Sequence, residues 1–140
     1  AWLTHDVMLG GGSTPRGKPA IDQAHPATVH WKLPDGAIAW IRFLCDSPVT
    51  ATAEAGTLSI TCRLKETKTP PENAVFLIHA PGLDPGNLEG YAWRLPGLTV
   101  AVETDLPAPV FHQTREGLEA RFAIPESRRD ENVTIVLTVR

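Results

Sequence analysis

The amino-acid sequence predicts an all-β domain, a two-layer antiparallel β-sandwich of jelly-roll type with about eight or nine strands and little or no helix. Three observations carry this. Apolar and polar residues alternate with period two along several short runs. Turn residues separate those runs at regular intervals. No long stretch shows a 3.6-residue period, and prolines interrupt most helical candidates.

The alternation is clearest in TLSITCRL, where Leu58, Ile60, Cys62 and Leu64 share one face and Thr57, Ser59, Thr61 and Arg63 the other. NVTIVLTVR sets Val133, Ile135, Leu137 and Val139 against Thr134 and Thr138. LEARFAI sets Leu118, Ala120, Phe122 and Ile124 against Glu119, Arg121 and Ala123. One face of each strand is apolar enough to pack on a second layer. Three hairpins follow from their turns: 28–33 with 37–45 through Pro34-Asp35-Gly36, 91–95 with 98–103 through Pro96-Gly97, and 110–113 with 118–124 through a tight turn ending at Gly117. NAVFLIHA is apolar on both faces and reads as a central strand, LTHDVML as an early strand. ESRRDEN, residues 126–132, reads as one helical turn or a charged loop.

Residues 1–140 read as a single domain, because no linker or repeat divides the chain. Its 42% hydrophobic and 21% charged residues are an ordinary globular balance. The thirteen prolines and eleven glycines are spread along the chain as turn punctuation. The net charge of −3 lacks the basic excess of a duplex-binding surface, so no nucleic-acid partner is expected. No apolar run approaches the ~20 residues of a membrane helix, and no basic-then-apolar leader is legible, so the expectation is a soluble protein, cytoplasmic or secreted, without a membrane partner. Cys45 and Cys62 each sit in an apolar strand-like run, either as buried free thiols or as one bridge between neighbouring strands.

The loop of residues 10–26 is long, glycine-rich and then basic. The backbone amides of Gly10 to Gly12, with Arg16 and Lys18, have the chemistry to grip a carboxylate, sulfate or phosphate; the plainer reading is a crossover connection. GGSTPRGK nearly meets the phosphate-loop pattern, but Pro19 stands where Ser or Thr is needed and no βαβ unit surrounds it. The five histidines show no metal-ligand spacing, and neither metal nor cofactor is expected. His25 and His30 with Asp22 are the candidate catalytic set, for lyase or hydrolase chemistry, because imidazole titrates near neutrality. No nucleophile motif accompanies them. Of the four tryptophans, Trp31 shares a face with Val29 and Leu33, and Trp40 shares one with Ile38 and Leu44, which places both in the core. Trp93 and Tyr91, alternating with small residues beside a loop, are the better candidates for exposure as a sugar-stacking platform, although composition favours a place in the core for them as well.

The stretch HDVMLGGGSTPRGKPAIDQAHPATVHWKLPDGAIAWIRF, with the hairpins after it, resembles the C-terminal β-sandwich domain that follows the helical toroid in heparinase II/III-like polysaccharide lyases. That resemblance is architectural, and no diagnostic motif carries it. It implies an accessory domain that closes one side of an acidic-sugar cleft, with an anion-gripping loop at Arg16 and Lys18. The expectation is therefore a non-catalytic carbohydrate-binding or accessory module that recognises an anionic saccharide or packs on a catalytic domain, with Arg16, Lys18, Trp93 and Tyr91 as ligand-binding residues. The alternatives are a small His-based enzyme and an assembly module that pairs through open sheet edges.

Overall fold

The computed structural model describes residues 2–3, 6–12 and 27–140, with side chains from residue 6 onward. It is a two-layer antiparallel sandwich, as the alternation requires. One sheet holds, in spatial order, β1 (Trp2–Leu3), β2 (Val7–Gly11), β3 (Ala27–Lys32), β4 (Ile38–Leu44), β7 (Asn73–His79), β12 (Leu118–Ala123) and β11 (Val110–Gln113). The other holds β5 (Val49–Glu54), β6 (Thr57–Cys62), β13 (Val133–Val139), β10 (Leu98–Glu103), β9 (Ala92–Leu95) and β8 (Leu88–Glu89). Helical structure among the described residues is confined to three 3-10 turns, at Leu64–Glu66, Pro85–Asn87 and Glu126–Arg128. No helix is long and apolar enough to cross a membrane.

All three expected hairpins form, as β3–β4, β9–β10 and β11–β12. NAVFLIHA becomes the central strand β7, between β4 and β12. The strand count is corrected upward, to seven and six. Part of the excess is two-residue strands at the sheet margins. A further one is β5, whose sequence VTATAE carries little apolar signal. It pairs along its whole length with β6 through a turn in which Ala55 (φ +41°) and Gly56 (φ +81°) both take left-handed conformations, the geometry that matches strand twist in a two-residue hairpin.

The inner faces meet in one apolar core. Phe76 from the first sheet meets Trp93 from the second, and Phe43 and Phe122 flank Phe76 within its own sheet. Among the described residues no polar or charged residue is fully buried. Trp31 is buried as expected, and its indole N–H donates to the Pro96 carbonyl at 2.6 Å, tying the β3 end of one sheet to the β9–β10 turn of the other. Trp40 is a correction. Ile38, Trp40 and Leu44 do share a face, but it is the outer one: Ala39, Ile41 and Phe43 turn inward instead. IAWIRFL is apolar at both parities, so alternation alone leaves its facing undecided.

Candidate functional site

The outer face of the seven-stranded sheet is not the uniformly wet surface that alternation leads one to expect. Strand register places Met8 beside His30, His30 beside Trp40, and Trp40 beside His79, as one row across four strands. The next row runs Thr28, Arg42, Leu77, Glu119 and His112. Side chains directly opposite on neighbouring strands lie close enough to touch. Trp40 and His79 stack, with ring centroids 5.1 Å apart and 25° between their planes. The Arg42 guanidinium, two residues along from Trp40 and so on the same face, sits over the indole at 4.0 Å from its centroid. This is a cation–π contact on an open surface. Leu77 is only 6% exposed although it points outward, away from the sandwich core.

Electrostatics on this face favour an anion. Among the described residues neither Arg42 nor Lys32 is ion-paired, whereas Arg121 is held by Glu119 at 2.7 Å. The protein as a whole carries a net charge of −3, so the cations here stand against the molecule's overall sign. His30 is half-buried, and its Nδ1 is enclosed without a hydrogen-bond partner. Burial first, and the Arg42 charge second, lower its pKa below the ordinary 6.5. An unfolded chain then takes up this proton before the folded one does. Stability contributed by neutral His30 is full above about pH 6.5 and declines as the pH falls through that value toward the lowered folded pKa. In urea titrations at roughly pH 7 and pH 5, His30→Gln is expected to lose less stability on acidification than the parent. Equal losses would remove His30 as the source.

The row ends at a cleft of about 270 Å³, just below the ~300–1,000 Å³ common for small-molecule sites. Its walls are the end of β7 with the loop 80–83 on one side, and the β11–β12 turn with Gln113, Arg115 and Glu116 on the other. His79 belongs to both features, lining the cleft while stacking on Trp40. The turn is fixed by its own polar groups: the Gly117 carbonyl accepts from the Thr114 N–H and the Thr114 hydroxyl, both at 2.8 Å, and from the Gln113 side chain at 3.2 Å.

The residues nominated from sequence fare differently. Arg16, Lys18, Asp22 and His25 lie outside the described residues. His30 falls in the aromatic row, with Trp40 and Arg42 as its charged and aromatic company rather than a carboxylate. Trp93 is corrected: it is fully buried among Phe76, Phe111 and Phe122, its indole N–H donates to the Gly90 carbonyl at 2.9 Å, and it presents no face to a ligand. Tyr91 is 38% exposed, but it belongs to the other sheet's margin, and its hydroxyl donates to the Leu106 carbonyl at 2.6 Å. Among the described residues no group of three or more His, Cys, Asp or Glu side chains is placed to hold a metal.

Sequence reasoning did not assemble Trp40, Arg42 and His79. One signal was present: an arginine at the centre of the apolar run IAWIRFL has to face water, and Trp40, two residues before it, has to face the same way. His79 needed the register of β4 against β7, which no local pattern specifies.

No protein-family model matches the chain, and neither the curated proteins nor the solved structures give a match.

Proposed function

We propose that this domain is a non-catalytic binding module for an acidic saccharide, with the Trp40–His79 stack as the platform and the adjoining cleft as the seat of a terminal sugar. The observation that carries the reading is the stack itself: an indole with a guanidinium at 4.0 Å and an imidazole at 5.1 Å, on an open sheet face next to a cleft. With Arg42 over the indole and His79 stacked on it, the outward edges of the two rings are what offers apolar contact to the C–H side of a pyranose ring, at little conformational cost. Arg42 and Arg115, neither of them ion-paired among the described residues, are available to a carboxylate or sulfate on that ring.

The test is calorimetric titration with uronate-containing and sulfated oligosaccharides. Trp40→Ala is expected to weaken binding at least about tenfold, roughly 1.4 kcal/mol, as a central aromatic anchor does. It should leave the melting temperature nearly unchanged, because Trp40 lies outside the sandwich core. A folded protein that binds nothing in such a panel overturns the proposal.

A second reading has its own support. Met8 (39% exposed), Ile38 (53%) and Val110 (70%) are large apolar groups open on this same outer face. They suit packing against a catalytic domain, the accessory role that the architectural resemblance implies. Ile38→Asp separates the two readings, since it should abolish such packing and spare the sugar affinity of an isolated domain.

A further inference from the structure

The geometry points to Cys45 and Cys62 as a redox modification site, a thiol pair that a small-molecule disulfide such as oxidised glutathione converts to a covalent bridge between the two sheets. Both are free thiols here. Cys45 follows the last residue of β4 and lies on the short crossover, residues 45–48, that carries the chain from one sheet to the first residue of β5 in the other. Cys62 ends β6 and is fully buried, flanked in its ladder by Val49 and Val133. The Arg63 N–H donates to the Pro48 carbonyl at 2.8 Å, which clamps the crossover against the end of β6. Cys45 is half-buried against the same core, its Sγ 3.4 Å from the Ser47 hydroxyl and 3.9 Å from the Asn73 carbonyl, and the two thiols lie close enough to perturb each other's ionisation. Sheets in a sandwich normally stand ~10 Å apart, too far for a disulfide, so a thiol on the crossover itself is the arrangement that brings two layers within reach.

The two sulfurs differ in a useful way. The Cys62 S–H is the first cause that holds the Cys45 pKa down, and a hydrogen bond with the Ser47 hydroxyl at 3.4 Å adds to it. The Cys62 thiol is pushed up, by its hydrogen bond with Cys45 first and by burial second. Cys45 is therefore both the more exposed sulfur and the better thiolate, hence the attacking one. In the first step the Cys45 thiolate attacks one sulfur of oxidised glutathione. The S–S bond of that reagent breaks, a mixed disulfide forms on Cys45, and one glutathione leaves with the proton Cys45 gave up. In the second step Cys62 gives its proton to the departing sulfur and attacks Cys45, forming the protein disulfide and expelling the second glutathione as a thiol. Two protein thiols are oxidised and one small disulfide is reduced to two thiols.

The experiment treats the native chain with oxidised glutathione, then unfolds it, alkylates remaining thiols and reads the intact mass. The expected product has both thiols lost, no glutathione retained, and a melting temperature raised by roughly 10 °C, because the bridge closes the loop that contains the β5–β6 hairpin. Cys62→Ala should stop at one retained glutathione on Cys45, and Cys45→Ala should take up none. The proposal is overturned if the parent protein keeps two alkylatable thiols, retains glutathione, or links to a second chain, or if Cys45→Ala reacts as fast as Cys62→Ala.

Discussion

Phe76→Ala is expected to remove ~3–5 kcal/mol of stability, the usual cost of deleting a buried phenyl ring from a close-packed core. Phe76 sits on the central strand β7 and is 1% exposed. Its ring lies 4.8 Å from Phe43, 5.7 Å from Trp93 and 5.8 Å from Phe122, centroid to centroid. Two of these neighbours belong to its own sheet, and the third comes from the other. Among the described residues no other side chain makes ring contacts with all of these three. The hole left by an alanine is bounded by aromatic groups anchored in both layers, so it collapses poorly and the cavity penalty stays near its full value. Domains of this size are stable by only ~5–15 kcal/mol, and the variant should sit near the edge of folding at physiological temperature. Urea unfolding at unchanged m-value measures the loss. Phe111→Ala is the internal comparison. Phe111 is half-buried on the edge strand β11 and meets Trp93 at 6.2 Å, so it should cost clearly less. A Phe76→Ala loss below about 1 kcal/mol would contradict the packing described here.

The residues at stake in that experiment were largely readable from sequence. Period-two alternation names Leu58, Ile60, Ile135, Leu137, Phe122 and Ile124 as inward-facing, and all are buried. It succeeds because one face of each of those strands is polar, so the hydrophobic effect has a single choice. It fails where both parities are apolar. NAVFLIHA and IAWIRFL pack against neighbours on each side, and their facing is settled by their pairing with each other and by that of β7 with β12, at long range in sequence. Trp93 shows the same limit from the opposite direction. YAWR alternates ring and small residue, yet the ring faces inward because Ala92 and Arg94 are the exposed members of β9. The strand β5 escaped for a third reason. VTATAE is too weakly apolar to stand out, and Ala55-Gly56 lacks the asparagine or aspartate that usually marks its turn type.

The candidate site was less legible than the core, and the cause is geometric. A core residue declares itself through local periodicity, since burial follows from the strand it sits on. A surface site made of Trp40, Arg42 and His79 exists only after β4 and β7 have found their register, and these strands are separated in the chain by a hairpin that belongs to the other sheet. The cleft adds a third segment, the β11–β12 turn, from still further along. The net charge of −3 is a sum over the whole chain and could not point to the cations gathered on the outer face.

Gly117→Ala is expected to damage fold and site together, at roughly 2–4 kcal/mol. Gly117 has φ +154°. A Cβ built there would overlap the Ile78 carbonyl oxygen and lie 3.1 Å from its carbon. Both are backbone atoms of the central strand, so no side-chain rotation relieves the overlap, and either the β11–β12 turn or the end of β7 has to move. The turn resists, since the Gly117 carbonyl is the shared acceptor of Thr114 and Gln113. The end of β7 is the peptide that leads directly into His79, whose ring stacks on Trp40. Displacement there opens the stack and deforms the cleft wall, so the variant should lose saccharide affinity as well as melting temperature. Gly36→Ala separates strain from overlap. Gly36 also has positive φ, +89°, but a Cβ there meets nothing within 4 Å. It should pay only the left-handed backbone cost, about 1 kcal/mol, and leave binding untouched. Similar losses in the two variants would mean that backbone conformation alone, and not the contact with Ile78, makes glycine necessary at position 117.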